Sequence, residues 1–255
     1  MKRIAMTVVT TLVLVYVGLC VALFVLQRSL MYFPQPAAAV AGTKSLVLRI
    51  DDVNVQVTVR AAEGTKALLY FGGNGEDVNS SLGDLVAAFP DRSIYLMHYR
   101  GYGGSTGKPT EPALVADALS LFDEVRAQHD DVVAVGRSLG SGVAIQLASQ
   151  RPVSRLVLVT PYDSVLNVAS SRFRYFPVRW LLLDKFESWR YAAAVTAPTL
   201  IIAAEDDESI PRASTEALVA HFRGGVATLK VVAGADHNSI SESAEYTRLL
   251  AEVPQ

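Results

Sequence analysis

The sequence predicts an α/β domain, with about eight mostly parallel strands covered by helices, set behind one apolar amino-terminal helix. Three observations carry this reading. Residues 4–26 run without a single charged side chain. Beyond them, short apolar runs of strand length alternate with helix-like runs, the rhythm of a parallel sheet covered on both faces. At one strand-to-helix junction stands Gly136-Arg137-Ser138-Leu139-Gly140, a G-x-S-x-G sequence. At 255 residues, 51% hydrophobic and 19% charged, the chain suits a short membrane segment and one globular domain.

The elements follow in order. Residues 4–26 would span roughly 34 Å as a helix, enough for a hydrocarbon core about 30 Å thick. That run exceeds the apolar region of about 7–15 residues found in a cleavable signal peptide, which favours a retained anchor. Lys2 and Arg3 flank its start, so the positive-inside tendency puts that end in the cytoplasm and the main domain on the non-cytoplasmic side; Arg28 opposes this. Residues 1–28 are read as the anchor, 29–44 as a linker and 45–255 as the folded domain. Within it, 46–50 and 53–60 read as two strands joined at Asp51-Asp52, the second alternating Val53, Val55, Val57 and Val59. Further strands are expected at 67–71, 94–99, 132–135, 156–160, 200–204 and 229–232. Helices are expected at 82–88, 114–128, 139–150, 214–222 and 241–253. Between about 161 and 197 the rhythm breaks and a small helical cap is expected.

Composition excludes several functions. A net charge of −2 offers no general attraction to nucleic acid. The single cysteine, Cys20, rules out an internal disulfide and a thiolate metal site. Gly72-Gly73-Asn74-Gly75 lacks the lysine and Ser/Thr of a phosphate loop, and Gly101-Tyr102-Gly103 does not complete a dinucleotide fingerprint. No metal or organic cofactor is implied.

The chemistry centres on Ser138. A serine in a sharp turn between strand and helix adopts strained backbone angles and needs small residues two positions away, here Gly136 and Gly140. Gly142 is expected to let the helix pack close to the strand. The Leu139 amide, at the helix start, faces where an oxyanion would form. The base should be a histidine at a carboxyl end of the sheet. His221 falls inside a helix, His129 in a polar turn expected to be solvated, and His98 precedes Ser138 in the chain. His237 follows the last strand and is the favoured base. The acid comes from the loop Glu205-Asp206-Asp207-Glu208 after the penultimate strand, giving the order serine, acid, histidine.

These segments together resemble the α/β-hydrolase superfamily, and in particular its amino-terminally anchored, abhydrolase-domain serine hydrolases. The likeness runs from about Leu30 to the end. It includes Arg28-Ser29-Leu30-Met31-Tyr32-Phe33-Pro34, Tyr99-Arg100-Gly101-Tyr102-Gly103-Gly104-Ser105-Thr106-Gly107 and Leu183-Asp184-Lys185-Phe186-Glu187-Ser188. The resemblance implies that the acid is Asp207, since Asp207-Glu208-Ser209-Ile210-Pro211 fits the family's D-x-x-[VI]-P pattern and Asp206 does not. It also implies that His237 is the base and that a backbone amide near Asn74 is the second oxyanion donor. Two departures are a Gly-Gly-Asn where the family often has His-Gly-Asn, and Ala204 in place of a glycine.

The function expected is a serine hydrolase of carboxylic esters or thioesters, with acyl-chain substrates. A membrane-anchored peptidase or amidase, and a catalytically silent binding module, are the alternatives. The expected partners are the lipid bilayer, through the amino-terminal helix, and the acyl substrate. In the cap, Phe173, Tyr175, Phe176, Trp180, Phe186, Trp189 and Tyr191 are interleaved with Arg172, Arg174, Arg179, Lys185 and Arg190. Packing of these aromatics on the core is the favoured reading; a basic, aromatic, lipid-facing surface is the other.

Overall fold

The computed structural model describes residues 2–252. Helix α1 (Lys2–Met31) has no acid and carries Arg28 in its last turn. It is long and apolar enough to cross a membrane. Strands β1 (Lys44–Ile50) and β2 (Val53–Arg60) form a hairpin turned at Asp51 and Asp52, with Asp51 in the left-handed region at φ 53°. Then follow β3 (Lys66–Phe71), α2 (Leu82–Ala88), β4 (Ser93–Met97), α3 (Glu111–Arg126), β5 (Asp131–Arg137), α4 (Leu139–Ala148) and β6 (Arg155–Val159). The cap holds α5 (Val165–Arg172), α6 (Val178–Leu181) and α7 (Trp189–Ala192), after which come β7 (Thr199–Ala204), α8 (Arg212–His221), β8 (Ala227–Val232) and α9 (Ala244–Ala251).

Among the described residues eight strands form one sheet in the order β1-β2-β4-β3-β5-β6-β7-β8. β2 runs antiparallel to β1 and to β4, and every pairing from β4 to β8 is parallel. Parallel strands buried on both faces must be apolar at nearly every position, which is why they stand out as continuous runs. Leu69 and Phe71 of β3 face one core, shared with Leu121 and Phe122 of α3 and Val143 and Leu147 of α4. Leu68 and Tyr70 of the same strand face the other, with Leu85 of α2 and Leu249 of α9.

Boundaries move where polar groups decide them. β4 stops at Met97, two residues before the expected end, and His98 N–H donates to Gln56 O at 3.0 Å. α3 starts at Glu111, earlier than expected, because the Thr110 hydroxyl caps it by accepting from Ala113 N and Pro112 sits in its first turn. The final helical region divides into a 3₁₀ turn (Ser239–Glu242) and α9, with Ser243 as the cap between them. Its expected end at Val253 lies outside the described residues. The segment after α1 packs on the domain: Tyr32 is buried, and Asn79 Nδ2 donates to Ala38 O at 2.7 Å.

Candidate active site

Ser138 is the hinge between β5 and α4. Its backbone sits at φ 49°, ψ −116°, and its N–H donates to Val159 O at 2.9 Å. Such angles are costly for a residue with a side chain and persist only where the surroundings enforce them. A Cβ on Gly140 would stand 2.0 Å from Phe71 O, and one on Gly136 only 2.4 Å from Gly140 O. Glycine at these two positions therefore lets α4 begin against the ends of β3 and β5. Gly142 has a different role from the one expected: a Cβ there would meet the Tyr162 hydroxyl at 2.4 Å and Phe186 at 2.9 Å. It makes room for the root of the cap, not for the strand.

The loop after β8 brings His237 to Ser138. His237 Nε2 lies 2.9 Å from Ser138 Oγ, and His237 Nδ1 lies 2.8 Å from Asp207 Oδ2. Asp207, in the loop after β7, uses its other oxygen to accept from Ser209 N at 2.9 Å and Ile210 N at 2.7 Å. Glu205, Asp206 and Glu208 are exposed. The serine, acid and histidine singled out from the sequence thus form one chain of hydrogen bonds.

Leu139 and Asn74 flank the same cavity as Ser138 and His237. Leu139 N is the first amide of α4 and has no partner within the helix. Asn74 turns its side chain away, donating to Met31 O at 2.8 Å, while its carbonyl accepts from Phe33 N and the Tyr102 hydroxyl. Among the described residues the Asn74 amide has no acceptor, which leaves it free for an oxyanion.

Sequence reasoning missed what braces these loops. The Glu76 carboxylate accepts from Gly73 N at 2.7 Å and from the hydroxyls of Tyr70 and Ser81. Arg137, in a variable slot of the elbow motif, sits 3.7 Å from Glu76 and donates to the carbonyls of His237 and Asn238. Burial is the largest influence on Arg137 and works against its charge, but Glu76 together with Tyr70 and Tyr246 outweighs it, and the pKa lies above the ordinary guanidinium value. One ion pair therefore joins the Asn74 loop, the Ser138 elbow and the His237 loop. The available signal was a lone Arg at the end of an apolar strand, with an acid two residues past Asn74.

The other histidines lie outside this group. His221 is exposed, its Nδ1 2.7 Å from Ala217 O. His129, expected to be solvated, is instead buried with Nε2 2.9 Å from the hydroxyl of Tyr95 in β4. His98 is buried against Thr58.

Above Ser138 opens a cavity of about 470 Å³, within the usual size range of small-molecule sites. Leu23, Leu30 and Met31 of α1 form one wall; Val165, Phe176 and Leu181 of the cap form another. Arg172 brings a guanidinium to its lining and donates to Glu208 O. The cap aromatics divide: Phe186 is fully buried, but Trp180 is 83% and Tyr175 73% exposed. Packing on the core accounts for only part of them.

Known proteins show the same plan. The profile of the alpha/beta hydrolase family matches residues 72–195. An uncharacterised protein of Mycobacterium tuberculosis is 35% identical over 233 residues, covering 85% of this chain and 82% of that protein. The lysophosphatidylserine lipase ABHD12 of Macaca fascicularis is 35% identical over 154 residues, 52% of this chain and 37% of the lipase. A solved Pyrococcus furiosus esterase superposes with a TM-score of 0.69 at 17% identity, covering 86% of this chain and 97% of the esterase, which shows a shared fold. The chain belongs to the alpha/beta hydrolase family.

Proposed function

We propose that the chain is a membrane-anchored serine hydrolase of lipid-type acyl esters or thioesters. The observation that carries this reading is the hydrogen-bonded relay from Asp207 through His237 to Ser138, at 2.8 and 2.9 Å, at the base of a largely apolar cavity. With Nδ1–H donated to Asp207, His237 presents the lone pair of Nε2 to the Ser138 hydroxyl. His237 takes that proton as Ser138 Oγ attacks the acyl carbon. The amides of Leu139 and Asn74 hold the oxyanion of the tetrahedral intermediate. His237 then protonates the leaving oxygen or sulfur, and water attacks the acyl-serine by the same steps in reverse.

The lipase among its relatives supports a lipid-type substrate, over the part of that protein the chain matches. So do the apolar walls and their contribution from α1. In this reading α1 is a retained anchor with its amino end in the cytoplasm. Each buried methylene contributes about 0.8 kcal/mol, so turnover efficiency on p-nitrophenyl esters rises from acetate towards butyrate, and peptide amides are poor substrates. The test is Ser138→Ala. It should abolish fluorophosphonate labelling and lower ester turnover by roughly 10⁴–10⁶ while the fold persists. Activity within tenfold of the parent would place the nucleophile elsewhere, and a parent that takes no label would favour a silent binding module.

A further inference from the structure

We propose that the tip of the cap, residues 173–183, is seated inside the lipid leaflet beside α1, and that the cavity opens towards the acyl chains there. This rests on reading α1 as a retained membrane span. The cap grips α1 at two well-separated levels. Near the domain, Gln27 donates to Leu181 O at 3.1 Å and accepts from Leu183 N at 2.7 Å, and Arg28 pairs with the buried Asp184 at 2.9 Å. Farther along, the Tyr16 hydroxyl donates to Tyr175 O at 2.9 Å and its ring stacks on Phe176 at 5.8 Å.

Tyr16 lies about 18 Å along the helix from Arg28. Were the membrane surface drawn beyond Tyr16 to keep the cap in water, only residues 4–15 of the apolar stretch would remain inside. That length, also about 18 Å, cannot cross a core of about 30 Å. A spanning α1 therefore carries the Tyr16 level into hydrocarbon, and the cap tip goes with it.

The surface fits this placement. Phe173, Tyr175, Trp180 and Leu183 are exposed on the cap, and Val21 and Val25 are exposed on α1. Apolar patches of this kind mark interaction surfaces. Irregular backbone tolerates hydrocarbon only if its polar groups are paired. Here Phe173, Phe176, Val178, Trp180, Leu181 and Leu182 donate within the cap, and the carbonyls of Tyr175 and Leu181 accept from α1 side chains, while the amides of Arg174 and Tyr175 in the turn have no acceptor among the described residues. Arg174 keeps its guanidinium over the Tyr175 ring, 4.9 Å from its centre, and donates to the Tyr175 hydroxyl at 2.8 Å. Because Leu23 and Leu30 of α1 and Phe176 and Leu181 of the cap also wall the cavity, an acyl chain in the leaflet meets it along the seam between them.

The test uses emission from Trp180 and needs no turnover. The full chain carrying Trp189→Phe is reconstituted into phosphatidylcholine–phosphatidylglycerol vesicles, plain or with lipids brominated at mid-chain. Trp180 should lose most of its emission to brominated lipid and little to aqueous iodide. The reverse pattern overturns the proposal. Should Trp189→Phe fail to fold, the difference between the parent and Trp180→Phe isolates the same signal. Quenching in Ser138→Ala keeps this outcome separate from the hydrolase reading: lipid quenching without labelling of the parent would sink only the latter, and iodide quenching with normal labelling only the former.

Discussion

In the proposed mechanism, Asp207→Asn isolates the one feature that makes His237 a base. Asp207 Oδ1 holds two backbone amides, Ser209 N and Ile210 N, while Oδ2 faces His237 Nδ1. Asparagine has one acceptor oxygen, and the two amides compete for it. If that oxygen serves them, its NH₂ group confronts Nδ1, the proton moves to Nε2, and His237 becomes a donor to Ser138. If the amide flips to serve His237, two largely buried donors are left unpaired, at about 1–3 kcal/mol each. The flipped, active arrangement thus lies about 2–6 kcal/mol uphill, and turnover should fall by roughly 10²–10⁴. Stability should change little, because the majority arrangement keeps both loop bonds. Asp206→Asn should stay within about twofold, since that side chain is exposed. The assay is kcat/KM on p-nitrophenyl butyrate with the full chain in detergent, alongside a urea midpoint. An Asp207→Asn enzyme within tenfold of the parent refutes the tautomer argument, and an equally damaging Asp206→Asn would move the acid.

Other consequences follow from the surroundings. Arg137→Met removes the brace between Glu76 and the His237 loop; kcat should fall by about 10²-fold with KM nearly constant, and an unchanged kcat would show that the loops hold themselves. Arg172→Met should raise KM for an anionic lysophospholipid while leaving an uncharged monoacylglycerol unaffected. Equal shifts for both would assign Arg172 to packing. Burial lowers the pKa of His98 and His129 below the ordinary 6.5. The unfolded chain then binds protons first as pH falls through that value, so stability drops with it. His98→Gln together with His129→Gln should flatten the decline in urea midpoint between about pH 7 and 5, and an undiminished slope would place the acid sensitivity in other groups.

The sheet was legible because a strand buried on both faces leaves a run of apolar residues with few alternatives. Its ends were less so. Lys66 and Asp131 belong to strands by hydrogen bonding alone, and nothing in their side chains announces it. The glycines of the elbow could be read as small residues, but not what each avoids. Gly142 faces Tyr162 and Phe186, residues that only the returning cap brings near. His129 misled for the same reason, since its neighbours in sequence are polar and its neighbour in space is Tyr95.

The proposed functional residues divide along that line. Ser138, Asp207 and His237 each sit in a short segment with its own pattern: an elbow, a D-x-x-[VI]-P loop, a turn after the last strand. Glu76 and Arg137 carry no such pattern, because their task is to hold separate segments together and the constraint exists only once the chain has folded. The cap adds a third case. Periodicity separates inside from outside on the assumption that outside is water. Where hydrocarbon takes the place of water, as proposed for residues 173–183, Trp180 and Phe186 carry the same sequence signal, though one is 83% exposed and the other fully buried. What tells them apart is the contact of Tyr16 with Tyr175 and Phe176, which ties that surface to the helix proposed to enter the membrane.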